Sequence, residues 1–148
     1  MGEMAVMVRM GRVLGLDVGE RRIGVSLSDA LGLTAQRLTV IGRQSLAQDV
    51  DTVAALVKEH EAKAVVVGLP ITMRGEIGEQ AKRVMTVVDA LRGAVACPVE
   101  VMDERLTTVQ GERALLETDT PRSRRKQLID QVAAQLILQA YLDAHGTR

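Results

Sequence analysis

The sequence is almost without aromatic residues. It contains no phenylalanine, no tryptophan and a single tyrosine, Tyr141, among 148 residues. Proteins that recognise single-stranded nucleic acid stack its bases on aromatic side chains. This chain has no such platforms, so any nucleic acid that it binds must be held mainly through its phosphates and its shape.

Cysteine and long apolar runs are also scarce. Cys97 is the only cysteine, which excludes a disulfide framework and a cysteine-rich zinc site and favours a cytoplasmic location. No apolar run approaches the roughly 20 residues that span a bilayer. Residues 1–10 contain four methionines but lack the apolar core and cleavage site of a signal peptide, so we interpret them as a ragged N-terminal extension.

The chain also lacks a net charge, because it contains 19 basic and 19 acidic residues. The basic residues are nevertheless clustered. Residues 122–126 include four basic side chains, and Arg21 and Arg22 are adjacent. Each cluster is equally compatible with a solvated surface and with a phosphate contact.

Length and hydrophobic pattern predict one α/β domain over residues 11–148. The chain is long enough for one core and too short for two. Strands expected near 12–18, 23–28 and 37–41 are spaced closely enough for an antiparallel meander. Strands at 64–67 and 98–102 then alternate with helices at about 45–57, 79–91, 107–117 and 124–143. This order predicts a mixed five-stranded sheet flanked by helices.

Local signals mark several element ends. Ser45 with Gln48, and Thr107 with Gln110, match the capping-box pattern of a helix start. The glycine-bearing segment 71–78 and the polar, proline-bearing segment 118–123 predict loops.

Asp17 is the most informative residue, because it interrupts the apolar strand VLGLDV. A buried carboxylate is unfavourable unless it has a positive partner, which could be an arginine, a row of backbone donors or a metal ion. Gly15 lies two residues earlier, on the same face of the strand, and leaves room for a helix or a ligand.

Two further acids are candidates for the same site. Glu104 follows the strand at 98–102, so it and Asp17 are expected at the carboxyl ends of central strands, where sites gather in such sheets. Asp130 lies in the apolar stripe of the last helix, either as a helix-start acid that turns to water or as a third site residue. Three close carboxylates repel one another, and one or two divalent cations would relieve this and support phosphodiester cleavage.

Four sequence blocks together resemble the YqgF (RuvX) family of bacterial RNase H-like nucleases. They are LDVG at 16–19, Gly68-Leu69-Pro70, DERLTT at 103–108 and IDQVAA at 129–134. The resemblance covers nearly the whole chain after residue 10. It implies an RNase H-like fold, a catalytic and metal-binding triad of Asp17, Glu104 and Asp130, and dependence on Mg²⁺ or Mn²⁺.

The resemblance implies two substrates. One is the 5′ end of the 16S ribosomal RNA precursor, and the other is a Holliday junction, through similarity to RuvC. A junction resolvase would act as a dimer, whereas an RNA-processing nuclease can act as a monomer. Where the family often has a polar Asn-Met-Asp-Gly segment, this chain has the sequence ITMRG at 71–75.

The candidate substrate-binding residues are all basic. Arg74 precedes a predicted helix start, where backbone N–H groups also bind phosphate. Arg105 either orients Glu104 or covers a helix start, and Lys126 either pairs with Asp130 or contacts the phosphate. The full set is Arg21, Arg22, Arg74, Arg105, Arg124, Arg125 and Lys126.

Two other classes of protein share parts of this pattern. One half of a sugar-kinase or actin-like ATPase has a similar Asp-x-Gly hairpin, but such proteins need two domains. A non-catalytic nucleic-acid-binding module on the same fold would tolerate the loss of an acid, and this chain retains all three. The sequence therefore predicts a metal-dependent phosphodiesterase that acts on nucleic acid and does not associate with membranes.

Overall fold

The computed structural model describes residues 11–72, 74–106 and 122–145, with the side chains of 122–127 excepted. Its strands are β1 (Val13–Val18), β2 (Arg22–Ser28), β3 (Ala35–Gly42), β4 (Ala64–Leu69) and β5 (Val99–Asp103). Its helices are α1 (Leu46–Glu59), α2 (Glu79–Ala94) and α3 (Arg122–His145), and a 3₁₀ turn covers Glu104–Leu106. None of the helices in these ranges combines the length and the hydropathy that a membrane span needs.

These elements follow the predicted order, with one correction. The last helix begins at Arg122, so Arg122 and Ser123 are helical and do not belong to a loop. Pro121 directly precedes them in sequence, and a proline is compatible with a helix start. The predicted extension at 1–10, the helix at 107–117 with its capping box, and the loop residues 118–121 lie outside the described residues.

The five strands form one mixed sheet in the order β3-β2-β1-β4-β5. The first three pair antiparallel, and β4 pairs parallel with both β1 and β5, so the predicted sheet is confirmed. All six residues of β1 are buried, as its continuous apolar run predicts. Helices α1 and α2 cover one face of the sheet, and α3 covers the other.

Glycines let α3 approach the sheet closely. A Cβ on Gly15 would lie 2.7 Å from Leu138 Cβ and 3.2 Å from the Ala134 carbonyl oxygen, and a Cβ on Gly24 would overlap the Asp130 carbonyl. Ser26 Oγ donates a hydrogen bond of 2.7 Å to the Ala134 carbonyl. The prediction that Gly15 leaves room for a helix is confirmed.

The C-terminal half of α3 is tied to both edges of the sheet. At β3, Gln139 accepts a hydrogen bond of 2.9 Å from the Ala35 amide, and Gln135 donates one of 3.0 Å to the Ala35 carbonyl. At β5, the Tyr141 hydroxyl donates to the Glu100 carboxylate. Burial, and then the Glu100 carboxylate, raise the pKa of Tyr141 above its usual range.

The substitution Gly24→Ala is expected to lower the free energy of unfolding by about 1 to 3 kcal/mol, because the added methyl group would push against the backbone of α3. Urea unfolding of the purified chain measures this. Gly42→Ala is the matched control, since a Cβ on that glycine meets nothing within 4 Å. Equal stability of the two variants would show that α3 does not need this close contact.

The phenol of Tyr141 is expected to ionise only well above pH about 10, the usual value for tyrosine. Glu100→Gln should lower its pKa, because the neutral amide removes the repulsion of the phenolate. The pKa of Tyr141 is higher in the folded chain than in the unfolded chain. The contribution of Tyr141 to the free energy of unfolding is therefore fully present below pH about 10 and is lost as pH rises through the folded-state pKa. Phenolate absorbance measures this cleanly in a chain with one tyrosine and no tryptophan.

Candidate active site

Asp17 lies between two glycines on the face of the sheet that α3 covers. It is paired with Gly24 of β2. On its other side, Gly68 of β4 follows the last registered pair, Leu16 with Val67. Adjacent strands are about 4.8 Å apart, so a glycine on each side of Asp17 leaves space that other side chains can enter. Asp17 itself is only 5% exposed.

The other two predicted acids occupy these spaces. A Cβ on Gly68 would lie 3.0 Å from Glu104 Oε1, and a Cβ on Gly24 would lie 3.2 Å from Asp130 Cβ. Glu104 is 3% exposed. One acid therefore lies over each glycine that flanks Asp17, and we call this group the carboxylate patch.

Glu104 reaches the patch in a way that the sequence analysis did not foresee. It was expected at the end of a central strand, but β5 is an edge strand and β4 lies between it and β1. The missing side chain of Gly68, near the end of β4, lets the Glu104 carboxylate extend across that strand.

Asp130 is held by an arginine from β2. Its Oδ2 accepts a hydrogen bond of 2.7 Å from Arg22 Nε, and the two side chains are 18% and 27% exposed. Arg22 precedes Gly24 by two residues, which places both on the same face of β2. Asp130 therefore does not act as a helix-start acid that turns out to water.

The donor chemistry of the patch suits a hard divalent cation, which takes carboxylate oxygens. In the described ranges, however, no group of three or more His, Cys, Asp or Glu side chains is placed to hold a metal ion. Arg22 engages Oδ2 of Asp130. A cation held by all three carboxylates would therefore share Asp130 with Arg22 or displace this arginine.

Comparison with known proteins identifies the family. The family model RuvX, described as Holliday junction resolvase, matches residues 11–144. The chain belongs to the RuvX family. A relative from Moorella thermoacetica is 52% identical over 135 residues, covering 91% of this chain and 96% of its own. One from Clostridium novyi (strain NT) is 45% identical over 133 residues, covering 90% and 98%. Both are named "Putative pre-16S rRNA nuclease".

Solved structures share the fold of this RuvX-family chain. RuvC of T. thermophilus, in complex with a Holliday junction substrate, superposes with a TM-score of 0.60 at 16% identity and covers 93% of this chain and 98% of its own. The fowlpox virus Holliday junction resolvase gives 0.53 at 10% identity, with 90% and 99% covered. These likenesses confirm the predicted RNase H-like fold.

A second ion pair, which the sequence analysis missed, fixes the turn after Asp17. Asp49 is 2% exposed and accepts hydrogen bonds from Arg43 Nε at 3.1 Å and from the Gln44 amide at 2.9 Å. Arg43 Nη1 donates to the Gly19 carbonyl at 3.0 Å, and the Arg43 amide donates to the Arg21 carbonyl at 2.9 Å. The β1–β2 turn is thereby fastened to the first turn of α1.

The sequence contains a signal for this missed pair. Asp49 lies one helical turn before Val53 and next to Val50, so it falls in the apolar stripe of α1. The same criterion singled out Asp130 in the last helix. Applied to α1, it identifies Asp49 as a second buried acid that needs a positive partner.

The remaining predicted substrate-binding residues differ in their surroundings. Arg21 and Arg74 are exposed. Arg105 binds Asp103 through a contact of 2.7 Å and keeps the pKa of that carboxyl below its usual range. Its Nη1 would lie 3.3 Å from a Cβ on Gly75, so it borders the loop that carries Arg74. The side chains of Arg124, Arg125 and Lys126 lie outside the described residues.

A cavity of about 740 Å³ lies at the opposite end of the sheet. It is lined by residues at the ends of α1 and α2 and by those that precede β4 and β5, and it contains no carboxylate. Sites in sheets of this kind gather at the carboxyl ends of the strands. We therefore place the candidate active site at the carboxylate patch and not at this cavity.

Arg43→Met is expected to lower the free energy of unfolding by about 2 to 3 kcal/mol, because it leaves the buried Asp49 charge without its guanidinium. Partial exposure of Arg43 keeps the loss below that of a fully buried pair. Arg83→Met is the control, since its pair with Glu20, at 2.8 Å, has side chains 59% and 73% exposed; its loss should stay under about 1 kcal/mol. Urea unfolding compares the two, and an equal loss would contradict the role given to Asp49.

Proposed function

We propose that this chain is a metal-dependent nuclease that hydrolyses phosphodiester bonds in structured nucleic acid, most directly at the 5′ end of pre-16S rRNA. The observation that carries the proposal is the carboxylate patch, in which Glu104 and Asp130 lie over the two glycines beside Asp17. Carboxylates from β1, from α3 and from the turn after β5 converge there, and Asp17 and Glu104 are 5% and 3% exposed, which supports a chemical role. The names of the relatives support the choice of RNA.

In this proposal Asp17, Glu104 and Asp130 hold one or two Mg²⁺ or Mn²⁺ ions through their carboxylate oxygens. Such ions, when bound, lower the pKa of a water molecule and stabilise the leaving oxygen of a phosphodiester. The protein supplies the geometry. The sheet fixes Asp17, the contact with Gly24 fixes the backbone of Asp130, and Gly68 makes room for Glu104.

The exposed arginines around the patch would grip the nucleic acid. Arg21 lies on the β1–β2 turn, and Arg74 lies on the loop beside Arg105. One guanidinium group can bind two oxygens of a phosphate at the same time, and this contact does not involve the bases. This mode of binding suits a chain without aromatic platforms and predicts recognition by backbone shape.

Junction cleavage is the second candidate function. It is favoured by the description of the matching family model, Holliday junction resolvase. Resolution requires two sites that cut opposed strands, so it would require a dimer. The proposal also includes a cytoplasmic location, which the single free cysteine, Cys97, supports.

Cleavage by Asp17→Asn tests the proposal. The variant should fold like the parent and cut at least about 100-fold more slowly, because the amide loses the charge that binds the cation. Labelled pre-16S rRNA 5′ fragments and four-way junctions, each with Mg²⁺, Mn²⁺ or EDTA, provide the assay.

Asp51→Asn is the matched control, since Asp51 is an exposed acid of α1, and it should cut like the parent. Cleavage of RNA by a monomer would select the first candidate function, and cleavage of junctions by a dimer would select the second. Equal cutting by Asp17→Asn and the parent, or cutting in EDTA, would overturn the proposal. Binding of either substrate without cleavage would leave a non-catalytic module.

A further inference from the structure

We propose that Arg22 is a positioning residue that competes with a divalent cation for Asp130, so that the ion pair and full metal coordination exclude each other. The inference rests on the proposed function, since it concerns the same carboxylate patch. It goes beyond that function by explaining why the third acid is turned towards an arginine and by predicting how this arginine sets the affinity for metal.

The position of Asp130 allows its carboxylate, but not its backbone, to change partners. The Asp130 carbonyl packs directly on Gly24, so α3 cannot move closer to the sheet at this point. A hydrogen bond from Ser26 to the Ala134 carbonyl holds the next turn of the helix. An exchange of partner can therefore occur by rotation of the Asp130 or Arg22 side chain, without movement of the helix.

The electrostatics favour one positive partner at a time. The three carboxylates of the patch repel one another, and the Arg22 guanidinium offsets the charge of Asp130. A divalent cation bound by the three carboxylates would offset two of their three negative charges, and at close range it would repel a guanidinium that shared the same carboxylate. Partial burial of Arg22 and Asp130 weakens the screening by water, so this competition should be measurable.

Displacement would also change what Arg22 can do. The ion pair engages its Nε, and a guanidinium carries five donors in a planar fork that fits a phosphate group. Arg22 released from Asp130 would remain at the start of β2, beside the carboxylate patch, where its guanidinium could bind a phosphate of the substrate. Metal binding would thus complete the carboxylate site and present an arginine to the substrate in a single exchange.

The test is a titration with Mn²⁺ in which electron paramagnetic resonance measures the concentration of the unbound ion. This measurement needs no substrate and no turnover. Arg22→Gln should bind Mn²⁺ about fivefold more tightly than the parent, corresponding to about 1 kcal/mol. Arg22→Lys retains the charge and should bind like the parent. Arg83→Gln is the matched control, because it removes one arginine of an exposed pair at the same β1–β2 turn and should leave the affinity within about twofold.

The route of the effect is tested by the variants Asp130→Asn and Arg22→Gln/Asp130→Asn. If Arg22 acts through Asp130, the two should bind Mn²⁺ equally, because the contested carboxylate is gone in both. Unfolding temperatures in EDTA establish that each variant is folded.

Three results would overturn the inference. They are weaker or unchanged binding by Arg22→Gln, equal tightening by Arg83→Gln, and tightening that persists in the Asp130→Asn background. Any of these, combined with metal-dependent cleavage by the parent, would leave the proposed function intact. Absence of Mn²⁺ binding in the parent and in every variant would instead overturn the metal-dependent function itself and, with it, the inference.

Discussion

The close packing of α3 on the glycines of β1 and β2 is the contact on which the site depends. Asp130 reaches the sheet only because Gly24 has no side chain, and Ser26 then fixes the helix by bonding to the Ala134 carbonyl. Arg22 and Asp130 are 108 residues apart in sequence. The site is therefore a product of the finished fold, since no local segment contains more than one of its three acids.

Buried acids in this chain are compensated in two different ways. Asp49 is engaged by Arg43 and by a backbone amide, and that arginine in turn binds the β1–β2 turn. Arg43 and Asp49 each make further hydrogen bonds besides their mutual contact, so movement of either side chain would break several bonds at once. Such a network is rigid. Asp130 and Arg22 are less buried and share one charged contact of 2.7 Å. The first arrangement suits a structural clamp, and the second suits a group that changes partner.

Local patterns predicted much of this structure, because they depend on neighbouring residues alone. The continuous apolar run predicted the buried β1, Ser45 caps α1 through the Gln48 amide as its capping box predicts, and the apolar stripe identified Asp130. Strand order and register could not be inferred in this way. The edge position of β5 and the placing of Gly24 and Gly68 beside Asp17 depend on pairing between distant strands.

The zero net charge of the chain is accompanied by pairing of arginines with acids near the carboxyl ends of β1, β4 and β5. Within the described residues, arginines there are bound to acids in four pairs, namely Arg22 with Asp130, Arg43 with Asp49, Arg83 with Glu20 and Arg105 with Asp103. Arg21 and Arg74 are exposed, so they can bind phosphate without breaking any of these four pairs, whereas each paired arginine must first leave its acid. The salt dependence of binding should reflect the number of phosphates that such arginines contact. Neutral composition and nucleic-acid binding are compatible on this basis.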